Sequence, residues 1–204
     1  MKKSILFAAS FATLALVMTA CGGATEASEK VTYELDAKAT QLMWKGDYAD
    51  GTHSHNGTVN VTEGMIAFTG EEFEKGAFKI DLATIKSELT PETGATDLMG
   101  HLSSPDFFDA AQFPKVDVTI NSISDSEITA TIKIAGKELA AKMPLKIKKT
   151  ASQFTAKGKF IVDVTSLDLA GFKPNAEKEK EKKDQFVNPN INFELNLVLN
   201  AAKE

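Results

Sequence analysis

The sequence has one cysteine, three histidines, one tryptophan and no arginine, so that all 23 of its basic residues are lysine. A single cysteine cannot form an internal disulfide, and the fold must therefore be held together by its apolar core. The net charge is −5. Nucleic-acid binding requires a basic face and commonly uses arginine at base edges, so this composition excludes that class of protein.

The only long apolar run lies at the N-terminus. Two lysines precede an apolar stretch from Ile5 to Met18, and small residues then lead to Cys21. This order is typical of a signal peptide over residues 1–20, and the run is shorter than the about 20 residues of a membrane-spanning helix. Residues 17–21 (VMTAC) resemble a lipobox. We therefore expect Cys21 to be lipidated; the alternative is a secreted protein with an unmodified cysteine.

Residues 21–30 (CGGATEASEK) are small and polar, and we interpret them as a lipidated cysteine with a tether. A domain at residues 31–202 follows. Two or more acyl chains hold a protein stably on a membrane. We expect a lipid-anchored protein of the bacterial cell envelope, facing the periplasm or the surface. Gly22 stands where Asp would favour inner-membrane retention, so the outer membrane is favoured.

Apolar and polar residues alternate with a period of two from Val31 onward, as expected of strands with one buried face. In the clearest run, from Ile191 to Leu199, five apolar residues alternate with mostly polar ones. Turn signals such as Asp50-Gly51 and Gly136-Lys137 separate the runs. A series of antiparallel strands removes its edges most simply by closing into a barrel.

One stretch breaks the alternation. Leu98 and Leu102 are four residues apart, which indicates a helix with Thr96 as its N-cap. Residues 104–106 (SPD) combine a cap, a first-turn proline and an early acid, which indicates a second helix start. We predict a short helical crossover at about residues 96–112 between two series of strands.

The stretch at residues 173–184 (KPNAEKEKEKKD) has almost no apolar residues. Its five lysines and four acids nearly cancel in charge. A solvated loop or short helix is therefore favoured over a contact with a head group or a partner.

The three histidines could form a metal site. On a strand, His53 and His55 would point to one side, and His101 could complete a three-nitrogen site for metal-assisted hydrolysis. No HExxH helix supports this site, and no GxSxG nucleophile elbow occurs. We therefore assign no catalytic residue and expect no metal or cofactor. The acids that could serve as a catalytic pair are dispersed: Asp36, Asp81, Asp106 and Asp163.

Several motifs occur in order along most of residues 31–201. The most specific is residues 97–114 (DLMGHLSSPDFFDAAQFP). The others are residues 33–36 (YELD) with Trp44, residues 51–57 (GTHSHNG), residues 76–82 (GAFKIDL) with Ile85, and residues 162–165 (VDVT). In this order they resemble the YceI-like family of lipid-binding, lipocalin-like barrels. Val164 stands where that family usually has arginine, and the charged stretch after Phe172 is longer than usual.

The resemblance implies an all-β fold, an antiparallel lipocalin-like barrel of about eight or more strands, with a cavity for an isoprenoid or fatty-acyl chain. Alternation alone favours a packed core, because a small barrel can be filled by its side chains. The implied function is the non-enzymatic binding, carriage or sequestration of a long-chain amphiphilic lipid. The alternatives are the metal-assisted hydrolase and a solid barrel that binds another envelope protein.

Large aromatic residues are the candidates for contact with a lipid tail, although each could equally belong to an ordinary core. Transferring a tail from a membrane is nearly neutral in free energy, so selectivity must come from chain shape, chain length and head group. The tail candidates are Trp44, Phe78, Phe107, Phe108, Phe113, Phe154 and Phe160. The candidates for a polar head group are His101, Lys45 and Lys115.

The position of Cys21 at the end of the leader makes anchoring testable. We expect Cys21→Ser to move the protein from the membrane fraction to the soluble fraction, because the acyl chains are lost. Fractionation followed by detection of the protein measures this change, and its circular dichroism spectrum should be unaltered. A variant that stays with membranes as firmly as the parent protein would show that lipidation is not the anchor.

Overall fold

The computed structural model describes residues 29–49, 51, 53–89, 94–173 and 187–203. The predicted signal peptide, Cys21 and the tether up to residue 28 lie outside the described residues. Residues 174–184 of the charged stretch lie outside them as well.

The described residues contain ten strands, one α-helix and two short 3-10 turns. All strand pairs are antiparallel. Helix α1 (Ala95–Ser103) lies between β4 and β5, and the 3-10 turns (Thr165–Leu167 and Ala170–Phe172) follow β9. The strands are β1 (Lys30–Leu35), β2 (Gln41–Asp47), β3 (Ser54–Thr69), β4 (Glu72–Ser87), β5 (Lys115–Ile123), β6 (Glu127–Ile134), β7 (Lys137–Pro144), β8 (Lys146–Lys149), β9 (Gln153–Asp163) and β10 (Asn190–Ala201).

The ten strands occupy eight positions around a barrel, because two positions are each shared by two strands. β1 and β2 both pair with β3 and β10, at different heights. β7 pairs with β6, and after Leu145 the chain continues as β8, which pairs with β9. This change of partner links the two ends of the strand order. The predicted antiparallel β-barrel is confirmed.

A tight turn at residues 36–40 separates β1 from β2. The Asp36 carboxylate accepts hydrogen bonds from the backbone N–H groups of Lys38 and Ala39, both at 3.1 Å. It also accepts one from the Asn200 side chain at 3.1 Å. These bonds, chiefly the one from Ala39, hold the pKa of Asp36 below its ordinary value. Asp36 therefore has a structural role in the turn.

Strand β3 changes the face that it turns to the interior. Val59 and Val61 are buried in its first half, and Ile66 and Phe68 are buried in its second half. The register shifts by one residue between the pairs Val61–Ile80 and Glu63–Lys79. Such a bulge inserts one extra residue and reverses the alternation. Both halves of the strand therefore contribute to one core.

One end of the barrel, which we call the packed end, is filled by Tyr33, Phe68 and Phe154. The ring of Tyr33 lies 6.1 Å from that of Phe68 and 6.2 Å from that of Phe154, and Phe68 and Phe154 are 6.0 Å apart. The Tyr33 hydroxyl donates a hydrogen bond to the Thr150 carbonyl at 2.7 Å. The phenol of Tyr33 is thus buried with its polar atom satisfied.

The crossover after β4 differs in part from the prediction. Helix α1 follows Gly94, which has a left-handed φ of 100°, so Thr96 is not the N-cap but lies inside the helix. No second helix starts at Ser104; residues 104–112 form successive turns. The Ser104 hydroxyl donates to the His101 carbonyl at 2.7 Å instead of capping a new helix. Within the described residues, no helix has the length and apolarity needed to cross a membrane.

Two positions on strand β9 allow a matched test of the packed end. Phe154→Ala should lower the free energy of unfolding by about 3–5 kcal/mol, because it opens a void in a filled core. Ile161→Ala is the control, since Ile161 points outward and is 57% exposed. It should change stability by no more than about 0.5 kcal/mol. Urea unfolding of both variants measures the difference, and similar losses would contradict the assigned packing.

Candidate functional site

The rest of the barrel interior encloses a cavity of about 250 Å³. Inward side chains of β2 to β7, β9 and β10 form its walls. Helix α1, the turns that carry Phe107 and Phe108, and the turn at Ala170–Phe172 line the end opposite the packed end, which we call the mouth. One water needs roughly 10–15 Å³ of such space, so the cavity has room for a ligand.

Five of the seven aromatic residues predicted as tail contacts line this cavity: Trp44, Phe78, Phe107, Phe108 and Phe160. Phe154 does not line it, because it lies at the packed end. Phe113 does not line it either. Its ring covers Gly136 in the turn between β6 and β7, where an added Cβ would come within 2.8 Å of the ring.

An aromatic row crosses three strands of the cavity wall. Phe193 of β10 is directly opposite Trp44 of β2 on one side and Phe160 of β9 on the other. The rings of Phe160 and Phe193 stack at 5.5 Å with an interplanar angle of 20°. The Trp44 indole N–H donates to the Thr58 carbonyl at 3.3 Å. Phe193 was not among the predicted contacts, although the alternation of β10 turns it inward.

A glycine positions Phe78 in the cavity wall. Gly64 on β3 is opposite Phe78 on β4. A Cβ added at Gly64 would lie 2.0 Å from the Phe78 ring, so the ring covers the backbone of the neighbouring strand. Only glycine leaves this space free for the aromatic ring.

Three phenylalanines meet at the mouth. The ring of Phe107 lies 5.2 Å from that of Phe172 and 6.4 Å from that of Phe108. The Gly171 N–H donates to the Asp106 carbonyl at 2.7 Å, which joins the turns at 104–108 and 170–172. The sequence prediction missed Phe172, because it lies in a turn outside the alternating runs.

The polar side chains of the cavity lie near the mouth. They are Tyr48, His55 and His101, besides the indole of Trp44. The ring of Tyr48 lies edge-on to His55 at 5.6 Å. The His55 Nδ1 atom is buried and has no hydrogen-bond partner among the described residues. Burial, and to a lesser extent the charge of His53, lowers the pKa of His55. Among the described residues that line the cavity, none is Asp, Glu or Lys.

The two lysines predicted as head-group contacts point away from the cavity. Lys45 alternates with the inward Trp44, and its Nζ lies 2.7 Å from the Asp47 carboxylate. Lys115 lies 2.7 Å from the Glu63 carboxylate. This hydrogen bond lowers the pKa of Glu63 and raises the pKa of Lys115. Of the three head-group candidates, the structure brings only His101 to the cavity.

The dispersed acids and the three histidines do not come together as a metal site in the described residues. No three His, Cys, Asp or Glu side chains there lie close enough together to hold a metal ion. Asp81 and Asp163 each accept a backbone N–H at 2.9 Å, from Ala83 and Thr165 respectively. Hydrogen bonds from Thr165 lower the pKa of Asp163. These carboxylates hold turns and bulges in place, as Asp36 does.

The profile of the YceI-like domain family matches residues 33–199. The chain therefore belongs to the YceI-like family, which confirms the resemblance of its motifs. The structure is similar to that of Burkholderia cenocepacia BcnA, with a TM-score of 0.61 and 13% identity over 80% of this chain and 98% of that chain. It is also similar to a polyisoprenoid binding domain from Saccharophagus degradans implicated in plant cell wall breakdown, with a TM-score of 0.57 and 16% identity over 83% of this chain and 98% of that chain. At these identities the likeness shows the fold. No curated protein matches the sequence.

The lowered pKa of His55 predicts a pH dependence of stability. Below the ordinary value of 6.5, the unfolded chain binds a proton that folded His55 resists. Stability should therefore decrease as the pH falls from about 6.5, and level off below the pKa of the folded state. His55→Asn should remove this decrease from the plot of unfolding free energy against pH, which is measured by urea unfolding at a series of pH values. Phe193→Leu, an apolar change in the same cavity, should keep it. An unchanged slope in His55→Asn would contradict the assignment.

Proposed function

We propose that this protein binds, carries or sequesters a long-chain isoprenoid-type or similar amphiphilic lipid in the cell envelope, without catalysing a reaction. The observation that carries this proposal is the apolar cavity inside the barrel. Side chains fill the barrel at one end, and turns line the cavity at the other end. The Saccharophagus degradans domain of similar fold is described as polyisoprenoid binding. That description supports the same class of ligand here.

The energetic cost of the cavity supports a function for it. An unfilled apolar volume costs about 24 cal/mol per Å³, so 250 Å³ corresponds to a cost on the order of 6 kcal/mol. This cost is comparable to the net stability of a typical domain, about 5–15 kcal/mol. A lipid tail in the cavity would restore the missing contacts. A barrel needed only as a binding surface for another protein would be more stable with a solid core.

The ligand proposed here suits carriage near a membrane. A lipid tail is already in apolar surroundings within a bilayer, so its entry into the cavity is nearly neutral in free energy. Loading and release can then be reversible. We propose that a lipidated Cys21 keeps the domain in the envelope, facing the periplasm or the surface, with the outer membrane favoured. The lipobox-like segment at residues 17–21 supports this part of the proposal.

The single tryptophan reports on ligand binding, because Trp44 lines the cavity. Titrating the purified protein with geranylgeraniol should change its fluorescence saturably. At a ligand concentration of about 100 times Kd, the thermal midpoint should rise by about 5–10 °C. Phe160→Leu should keep the fold and alter the preference for chain length. Phe160→Asp should abolish the response, since an unpaired charge is costly to bury.

The same experiment can contradict the proposed function. No fluorescence change with isoprenoid or acyl amphiphiles of any length, together with an organic extract of the purified protein that contains no lipid by mass spectrometry, would exclude a lipid-binding role. Because Phe160→Asp could also destabilise the core, urea unfolding of that variant is the required control.

A further inference from the structure

The polar atoms at the mouth indicate which head group the ligand has, in addition to its apolar tail. His55 is the second residue of β3, and Tyr48 follows β2 directly, so both lie where these strands reach the mouth. A tail that extends toward the packed end leaves its head group beside these rings. Within the described part of the chain, His55 Nδ1 is a buried polar atom at the mouth that lacks a hydrogen-bond partner.

A charged head group would find no Lys, Asp or Glu among the described lining residues, and at mildly alkaline pH the imidazole of His55, whose pKa is lowered by burial, is neutral. Burying an unpaired ion weakens binding by about a hundredfold or more, even after relaxation of the protein. Three lysines near the mouth are also engaged elsewhere. Lys45 pairs with Asp47 at 2.7 Å, and Lys173 pairs with Asp168 at 2.6 Å. The Lys137 ammonium donates to the Leu167 carbonyl.

An uncharged hydroxyl group, in contrast, can be buried at this site with a hydrogen-bond partner. Burying it without a partner would weaken binding by about five- to 150-fold, and leaving the imidazole nitrogen without a partner has a similar effect. A hydrogen bond between the two removes both costs. Because a hydroxyl can donate or accept, it suits either tautomer of a neutral histidine.

We propose that the cavity selects an amphiphile with an uncharged, hydroxyl-bearing head group, which forms a hydrogen bond with His55 Nδ1. This inference rests on the proposed lipid-binding function and specifies the head group that the same site accepts.

Three ligands with the same chain test the proposal: geranylgeraniol, geranylgeranyl monophosphate and the corresponding hydrocarbon without a head group. Affinities are measured by Trp44 fluorescence with the intact protein at mildly alkaline pH. We expect the alcohol to bind at least about tenfold more tightly than the phosphate, because the phosphate must bury unpaired charge or remain outside the mouth. Equal or tighter binding of the phosphate would overturn the inference and leave the proposed function intact.

Substitutions at His55 test the hydrogen bond. His55→Phe should lower the affinity for the alcohol by about five- to tenfold and the affinity for the hydrocarbon by less than about twofold. His55→Gln, which keeps hydrogen-bonding atoms, should retain most of the affinity for the alcohol. Ile161→Ala, on the outer face of β9, is the control for a general effect of substitution and should preserve the preference for alcohol over hydrocarbon.

The remaining outcomes are also decisive. An equal loss of affinity for alcohol and hydrocarbon in His55→Phe would mean that His55 only packs against the ligand, and the proposed hydrogen bond would be wrong. Failure of the wild-type protein to bind any of the three ligands, together with amphiphiles of other chain lengths and an organic extract that contains no lipid, would overturn the proposed function itself. If His55→Phe does not fold, the comparison of alcohol and phosphate in the wild-type protein still decides the question of charge.

Discussion

An eight-stranded barrel has an interior that side chains can just fill, so its capacity for a ligand depends on where the large side chains lie along its axis. In this protein Tyr33, Phe68 and Phe154 meet at one end, and the Tyr33 hydroxyl is tied to the Thr150 carbonyl. Trp44 and Phe160 lie along the wall instead, on either side of Phe193. This uneven distribution of rings leaves the remaining interior hollow.

The strands were predictable because alternation follows directly from the pleat of a strand. Alternation indicates on which face of a strand a side chain lies, but not its height along the barrel axis. Phe154 and Phe160 share the inward face of β9, yet one lies in the packed end and the other lines the cavity. The turns after Ser104 were predicted as a helix because a cap, a proline and an acid also occur in turns. The bulge in β3 lies beside Gly64. A glycine inside a strand is a weak signal, because it can equally mark a close approach of a neighbouring group to the backbone.

The candidate site was predictable to the extent that it consists of apolar residues on strands. The lysines predicted at the mouth were placed by their charge, whereas their strand position turns Lys45 and Lys115 outward to meet Asp47 and Glu63. His55 was considered only as a metal ligand, because a sequence does not show which nitrogen becomes buried without a partner. The position of Phe172 in the cavity wall depends on the packing of its turn against Phe107. Periodicity within a segment cannot indicate such a long-range contact.

The chain enters the barrel at the packed end, where Lys30 of β1 pairs with Thr69 of β3. Strand β3 has 16 residues, which at about 3.3 Å per residue and a tilt of about 40° give a height of about 40 Å. The eight residue-to-residue steps from Cys21 to Glu29 can span at most about 29 Å in any conformation. Under the proposed attachment through residue 21, an upright barrel thus cannot turn its mouth to the membrane surface, and the proposed ligand would be exchanged in the direction away from the point of attachment.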